Sequence, residues 1–503
     1  EDDEAANCKQ GLYTQDEDGN WKVDPAKEAL RMANHTRCFH TLPSYKDVED
    51  SIRQQFYSGE GAIQYVPEAI ARANADLLSN EETKSTFIKL YVTEQASAAD
   101  YLEGLGLKAG VVMTRDELNH RMGRYGLNPC GEIIGQDFHC NLAEIHLNTI
   151  DPNDQKAQDD AFTAGALQVA ALLHHEFYIE RYRYSREIDP IVGVSFTGLF
   201  DFFVHAFGSE WLGWMMNGRP NNKAGKSFVK RERRYLQRWA DIVRLTVTNY
   251  CKKHDLRVPN RMTTVQPAGT KSLLTGASSG WHPPKAQRFI RRITFGKSDP
   301  LVSALRDWGY NVIPAQSAKD DEGNLLDDIL DPRVQEVLVE IPTEVSWANL
   351  PGCDEYDLSL LPIESQWGLY MQVQNYYTEH NTSATLEFRE KEIEPLAKLI
   401  HESMGNGTGY ISAALLARFD ANETFPRLPF EPINKETYDR HSMISESYRD
   451  ALPVIFKKDQ VDFLEVLAQY DSADYELKGA SGCDSDKCLS EAEKDADQVG
   501  QEI

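Results

Sequence analysis

Between residues 67 and 83, PEAIARANADLLSNEET sets apolar residues three and four apart behind a proline, a pattern that predicts a surface helix. The same spacing recurs over 152–184, opening on Asp151 as cap with Pro152 in the first turn, and over 228–254, which is rich in Arg and Lys. KEIEPLAKLIHESMG (391–405) reads as a helix closed by Gly405, and GYISAALLARF (409–419) as another. Short runs of strand character stand among them: RMTTVQ (261–266), VLVEIP (337–342) and SATLEF (383–388), each bounded by Pro, Gly, Asn or charge. Helices and strands alternate, which favours an α/β barrel or a doubly wound sheet over an all-helical fold.

Composition narrows the function classes. A chain of 503 residues, 41% hydrophobic, buries a large core and makes one big domain or two to three ordinary ones. Seventy-nine acidic against 53 basic side chains give a net charge of −26, which repels polyphosphate backbones and argues against a nucleic-acid partner. A local basic pocket for a small phosphorylated ligand stays open. The richest apolar stretch, AFTAGALQVAALL (161–173), contains Gln168 and soon meets His174 and His175, so no membrane span is expected. The start, EDDEAANCKQ, lacks the basic and apolar regions of a secretion signal and an initiator Met, so a cytoplasmic, reducing setting and missing upstream residues are expected. Eight cysteines are ordinary usage for this length, which favours redox-active pairs over a structural disulfide framework. From Asp471 onward ten acids, three bases and few large apolar residues predict a mobile tail.

Two cysteine groups carry the candidate chemistry. Cys483 and Cys488 stand four residues apart on the acidic tail, where nothing buries them; with no second Cys/His pair to complete a zinc tetrahedron, they read as a dithiol that opens and closes as a disulfide. Such a pair on a tail carries reducing equivalents between an inner disulfide and an external thiol carrier. NPCGEIIGQDFHC (128–140) supplies the inner site. Cys130 lies between Pro129 and Gly131 in a tight loop, with Glu132 close by. A carboxylate beside a thiol disfavours the thiolate, so this thiol suits loss of a hydrogen atom rather than a proton. Asn128 adds a neutral donor and acceptor to orient the carboxylate or a substrate hydroxyl, and Cys140 is the sulfur for the tail to reduce.

RYGLNPCGEI followed by CNLAEI, a loop QPAGTKS after a strand, and the terminal cysteine pair resemble the ribonucleotide reductases. NHTRCFH (34–40), QFYSGEGAIQYVPEAIARANADLL (55–78), SSGWHPPKAQRFIRR (278–292) and HNTSATLEFRE (380–390) resemble, within that family, the monomeric adenosylcobalamin-dependent (class II) ribonucleoside-triphosphate reductases, from about residue 25 to the end. The resemblance implies a ten-stranded α/β barrel with Cys130 at the tip of an internal loop as the thiyl radical that takes the substrate's 3′ hydrogen. It makes Glu132 the acceptor of the 3′-hydroxyl proton, Asn128 a member of the same network, and Cys140 one of the pair that ends as a disulfide. Cys483 and Cys488 would re-reduce that disulfide and be reduced by thioredoxin. Pro267, Ala268, Gly269, Thr270, Lys271 and Ser272 resemble the substrate-phosphate loop, in which successive backbone N–H groups cradle an anion.

Adenosylcobalamin follows from the resemblance alone. DFHCNL (137–142) has Leu142 where the Asp-x-His-x-x-Gly signature of histidine-ligated cobalt requires Gly, so no protein histidine is expected as axial ligand and no other metal site is expected. A class I large subunit with a separate radical-generating partner and a non-catalytic thiol-disulfide or binding fragment are the competing readings. Cys251 and Cys353 read as packing or surface thiols, His174 and His175 as core or surface histidines, KRERRYLQR (230–238) as a solvated helix face, and Tyr376 with Tyr377 as barrel packing rather than a radical relay. The resemblance also divides the chain: 1–127 as the end of the first barrel half with helical segments, 128–470 as the radical loop and second half, and 471–503 as the redox tail. In the resembling family the redox partner of the cysteine matching Cys140 and the effector region lie far upstream, and neither Cys8 nor Cys38 matches that partner's setting. The chain is therefore expected to be the C-terminal part of a longer or split polypeptide, inactive and poorly soluble alone until an N-terminal fragment completes the barrel.

Overall fold

The computed structural model describes residues 11–15, 21–30, 36–58, 62–320, 322–418 and 427–470. The chain divides into two compact units, Glu1–Pro283 with Pro351–Tyr356 and Leu360–Arg418, and Pro284–Leu350 with Asp357–Ser359 and Phe419–Ile503. In chain order the first eight strands are β1 (Tyr13–Gln15), β2 (Trp21–Val23), β3 (Thr36–Phe39), β4 (Ala62–Tyr65), β5 (Gly126–Leu127), β6 (Ile134–Gly135), β7 (Leu142–His146) and β8 (Gly193–Thr197). They are followed by β9 (Arg288–Gly296), β10 (Asn311–Pro314), β11 (Glu336–Glu344), β12 (Thr385–Phe388), β13 (Ser412–Ala417) and β14 (Phe430–Pro432). Among the described residues no helix is long and apolar enough to cross a membrane.

The first unit is organised around strands that run side by side in one direction. β7 pairs in parallel with β8, Glu144 opposite Ser195. Val194 bridges in parallel to Thr263, and Val265 to Thr382, so segment 263–265 lies between β8 and the chain entering β12. β12 is parallel to β13, and there the direction reverses: β13 is antiparallel to β4, which is parallel to β3. Helices cover this array. Gln155–Ala171 lies so close to β7 and β8 that a Cβ on Gly165 would stand 3.0 Å from Ile145 and 3.3 Å from Val194. Phe162 of that helix stacks on Trp239 of the helix Lys223–Lys253, ring centroids 5.0 Å apart.

Four sequence expectations are corrected by this architecture. The segment 409–419 is not a helix: β13 occupies 412–417, with Ala413 and Leu415 buried and backbone partners on both edges, so sheet context overrides the helical propensity of its Ala and Leu residues. The helix expected over 67–83 is two helices, Val66–Ala73 and Glu81–Thr93. The buried Asn74 side chain ends the first by donating to the carbonyls of Ile70 and Arg121, and Asn80 with Thr83 forms a capping box on the second. The helix expected over 152–184 begins at Gln155 on the Asp154 cap, because Asp151 instead takes the Asn153 N–H in the preceding turn. It ends at Ala171, where Arg186 donates to the carbonyls of Leu172 and Leu173, and a separate helix covers Glu180–Ile188. The helix expected over 391–405 runs from Ile393 to Asn406 and closes on Gly407 in the left-handed region, φ 62°, rather than on Gly405. By contrast 228–254 forms the helix Lys223–Lys253, capped by Asn222, and the strands expected at 337–342 and 383–388 appear as β11 and β12. The run 261–266 is extended but pairs only through the bridges at Thr263 and Val265.

The second unit holds an antiparallel sheet in the order β10-β11-β9-β14. Phe295, Val302, Val337 and Val339 form its core, and Arg292 pairs with Glu340 at 2.7 Å and with Glu431 at 2.5 Å across neighbouring strands.

Candidate active site

β5 and β6 pair antiparallel, Leu127 opposite Ile134, and close a loop whose tip carries Asn128, Cys130 and Glu132. The loop is self-closing. Asn128 Oδ1 accepts the Ile133 N–H at 3.0 Å, and the Gly131 N–H reaches the Asn128 carbonyl at 2.8 Å. Gly131 sits at φ 76° with open space where a Cβ would stand, so the backbone conformation, not crowding, calls for glycine there. Outside the loop, Ser383 Oγ donates to the Cys130 carbonyl at 2.7 Å and Asn381 Nδ2 to the Gly131 carbonyl at 2.6 Å. The Glu132 carbonyl accepts from the Asn381 N–H at 3.1 Å and from Thr264 Oγ1 at 2.6 Å, and the Ile134 carbonyl accepts from Arg261 Nη2 at 3.2 Å. With the Asn128 N–H on Ile133 O at 3.4 Å, each carbonyl from 130 to 134 has a donor.

Cys130 is half-buried and Glu132 is buried. Cys140 follows the loop as a free, partly buried thiol. Its pKa is pushed up to about 12, first by burial, then by the charge of Glu132 and by Cys130. The three groups thus share one electrostatic neighbourhood in which Cys140 holds its proton at neutral pH.

Two residues beyond the start of β7, Glu144 extends this neighbourhood. Ala143 and Ile145 turn toward the covering helix Gln155–Ala171, so pleat alternation sets Glu144 on the opposite face, opposite Ser195. Its side chain is 4% exposed; Oε2 lies 3.5 Å from Lys271 Nζ while Oε1 is buried without a hydrogen-bond partner. Burial lifts the Glu144 carboxyl to about 7, Lys271 opposes that rise, and Glu132 adds to it. Lys271 Nζ also donates to Gln266 Oε1 at 2.6 Å, and Gln266 is buried with its Nε2 unpartnered.

The loop Pro267–Ser272 leaves segment 263–265 beside this cluster. Ala268 takes φ 55°, Ser272 Oγ donates to the Gly269 carbonyl at 3.2 Å, and a single 3-10 turn follows from Lys271 to Leu274. The Ser383 N–H bonds the Val265 carbonyl at 2.9 Å while the Ser383 hydroxyl bonds the Cys130 carbonyl, so Pro267–Ser272 begins two residues after the partner of the serine that holds the cysteine loop.

Asn128, Cys130, Glu132 and Cys140 are therefore together, and Lys271 joins them through Glu144. Cys483 and Cys488, like Cys8, lie outside the described residues. Cys38 is on β3, its thiol 3.5 Å from Gln64 Oε1. Tyr377 is buried, its hydroxyl donating to Val194 O and its ring 4.7 Å from Phe196, while Arg233 lies over the Tyr376 ring at 4.0 Å. Cys251 and Cys353 are buried; His174 contacts Tyr250 and His254 by ring edges, and His175 contacts Phe177. The basic run 230–238 is not uniformly solvated. Glu232 within it is fully buried in a pair with Arg219, and Leu236 is in the core. Sequence reasoning passed over Thr264, His380, Asn381, Ser383, Glu144 and Gln266, all of which line or hold this site. Their signal is a density of small polar residues, TTVQ and HNTS, inside segments otherwise destined for burial.

No protein-family model matches the chain. The adenosylcobalamin-dependent ribonucleoside-triphosphate reductase of Levilactobacillus brevis is 25% identical over 369 residues, covering 72% of this chain and 45% of that protein. Its counterpart in Lacticaseibacillus paracasei is 24% identical over 394 residues, covering 76% and 48%. The chain spans about half the length of the curated relatives it matches. A crystal structure of a B12-dependent (class II) ribonucleotide reductase superposes with a TM-score of 0.63 at 20% identity, over 94% of this chain and 55% of that one. With the cysteine loop, the α/β array and these comparisons together, the chain is similar in sequence to the adenosylcobalamin-dependent ribonucleoside-triphosphate reductases and shares the class II reductase fold.

Proposed function

We propose that this chain carries the catalytic loop of an adenosylcobalamin-dependent ribonucleotide reductase that converts ribonucleoside triphosphates to 2′-deoxyribonucleoside triphosphates. The observation that carries the reading is one thiol, Cys130, on a loop tip whose carbonyls are held by buried donors, beside the buried carboxyl of Glu132 and a second thiol, Cys140, that keeps its proton. A half-buried thiol beside a carboxyl is a poor thiolate and a good hydrogen-atom partner, which is the chemistry the cofactor needs from the protein. Adenosylcobalamin, when bound, supplies the organic radical that makes Cys130 a thiyl.

The residues then divide the work. The Cys130 sulfur takes the hydrogen atom from C3′ of the ribose. Glu132 accepts the 3′-hydroxyl proton, which favours departure of the 2′-hydroxyl as water, and Asn128 orients the same network. Cys140 and a partner thiol supply two electrons and two protons, ending as a disulfide, so one C–OH becomes C–H with release of one water. Cys130 returns its hydrogen to C3′. The backbone of Pro267, Ala268, Gly269, Thr270, Lys271 and Ser272 receives the triphosphate. Cys483 and Cys488 reduce the inner disulfide by exchange and are themselves reduced by a thioredoxin-type dithiol.

The strand array supports the barrel reading: β7, β8, 263–265, β12 and β13 run parallel, followed by β4 and β3 in the opposite sense, as two antiparallel halves require. In this reading residues 1–127 end the first half, 128–470 contain the second, and the remaining strands of a ten-stranded barrel come from an N-terminal segment.

The test supplies a ribonucleoside triphosphate, adenosylcobalamin and dithiothreitol to the protein, with the upstream segment in one chain or in trans. Deoxynucleotide should form with wild type and not with Cys130→Ser. Product that appears only when a separate radical-generating metalloprotein is added would favour the class I alternative.

A further inference from the structure

The tip carbonyls of the cysteine loop are held chiefly from one short segment. The carbonyls of residues 130–132 accept from Ser383 and twice from Asn381, both in the tetrapeptide His380–Ser383, as well as from Thr264, and the Ile134 N–H donates to His380 Nδ1 at 3.3 Å. That tetrapeptide is itself fixed. Its four residues are at most 9% exposed. Thr382 N–H donates to Gln374 Oε1 at 2.8 Å, and Gln374 Nε2 donates to Asn381 Oδ1 at 3.2 Å, tying the segment to the helix Ile363–Tyr376. Ser383 is held by Val265 O through its N–H and by Trp281 Nε1 through its carbonyl at 2.9 Å. His380 accepts from Ile134 at Nδ1, so its proton is on Nε2, which donates to the Val192 carbonyl at 3.0 Å. Burial and Arg261 hold this imidazole neutral, well below the usual histidine range, so the hydrogen-bond pattern is the same across physiological pH.

A loop needs donors for its carbonyls, and water supplies them at an exposed tip. Here each donor is a buried side chain or backbone group with a second anchor behind it, an arrangement that fixes position as well as satisfying polarity. The backbone so fixed carries the Cys130 sulfur, two bonds from the Cα beside the carbonyl that Ser383 holds. Hydrogen transfer to sulfur is steep in distance, so a displaced tip lowers the rate without removing any reacting group.

We propose that His380–Ser383 is the positioning segment of the reactive cysteine, with Asn381 and Ser383 as the positioning residues that set where the Cys130 sulfur meets its hydrogen donor. The proposal deepens the reductase reading and rests on it for the kinetic arm alone.

Ser383→Ala removes one hydroxyl and keeps both backbone anchors. Two measurements are made on the complete protein. In the first, without cofactor or nucleotide, iodoacetamide alkylation of Cys130 and Cys140 is followed peptide by peptide. Losing the 2.7 Å bond should change the Cys130 rate about fivefold and leave Cys140 at its wild-type rate. In the second, nucleotide reduction should lose about tenfold or more in kcat with KM within about twofold, because the substrate contacts are untouched. Ser383→Thr, which restores the hydroxyl, should recover both. Unchanged alkylation of Cys130 in Ser383→Ala overturns the proposal, as does a parallel rise at Cys130 and Cys140, which would report general loosening. If Ser383→Ala does not fold, Asn381→Ala, which removes the Nδ2 donor to the adjacent Gly131 carbonyl and keeps the backbone N–H on Glu132, is read by the same two assays with the same deciding outcomes. A wild-type protein that reduces no nucleotide removes the reductase reading, and the alkylation arm still decides the positioning proposal.

Discussion

Glu144→Gln should make the protein more stable at pH 8 and nearly neutral in effect at pH 5. The Glu144 carboxyl titrates at about 7 in the folded chain, against an ordinary value of 4.5, because its side chain is 4% exposed and Lys271 at 3.5 Å offsets the burial only in part. A raised folded pKa means that the folded state holds a proton the unfolded state has released. The group's stabilising contribution is therefore complete below pH 4.5 and is lost as pH rises toward 7 and beyond. An interval from 4.5 to about 7, at about 1.4 kcal/mol for each pH unit, is on the order of 3 kcal/mol between the two limits. Glutamine keeps the shape and carries no charge at any pH, so it is free of that dependence. The assay is the difference in thermal midpoint between wild type and Glu144→Gln, measured in steps from pH 4.5 to pH 8.5, in which the other titrating groups cancel. The difference should grow in favour of the variant through neutrality, reaching several degrees. A difference that is flat with pH would show that Glu144 is ionised at neutral pH in the folded state, and the reading of this carboxyl as a held proton would fail.

Cys130→Ser should abolish nucleotide reduction with any reductant, whereas Cys483→Ser or Cys488→Ser should remove thioredoxin-supported turnover and spare much of that with dithiothreitol; equal loss in both assays would sink the shuttle role. Gly193→Ala adds a Cβ 2.7 Å from both Leu142 Cδ2 and Thr264 Cγ2, and should cost about 1–3 kcal/mol in thermal denaturation through overpacking behind the cysteine loop. Arg219→Ala leaves the fully buried Glu232 without its guanidinium partner at 2.7 Å, with Trp211 and Gln372 as its neutral donors among the described residues, and should cost about 3–5 kcal/mol by denaturant midpoint. The double variant Arg219→Met with Glu232→Gln should recover most of that loss, since no unpaired charge stays inside.

Elements whose pattern is carried by many residues of one segment were legible before the structure. The 31-residue helix Lys223–Lys253 repeats its apolar stripe often enough to stand out, and the cysteine loop is announced by Pro129 and Gly131 on either side of Cys130. β13 was not legible, because ISAALLA is equally good helix and its strand state is imposed by β12 and β4 on its two edges. Nor were the donors to the loop: Ser383 is 253 positions from Cys130, and nothing local marks its hydroxyl for that carbonyl. Nor did anything local single out Glu144. Only the folded sheet shows that the Glu144 side chain is buried and that it lies near Lys271 and Glu132.

The seam between β13 and β4 also governs how the chain reaches this state. Ser412 and Gln64 face each other across it from about 350 positions apart, so all of the chain between them must be synthesised before β4 can acquire this neighbour. Until then β4 has β3 on one side, and the edge that β13 will take is unpaired. Closing so long a loop comes late and slowly, after the local helices have formed. The nascent chain thus passes a vulnerable interval with one unpaired strand edge, a natural substrate for chaperones that shield extended segments.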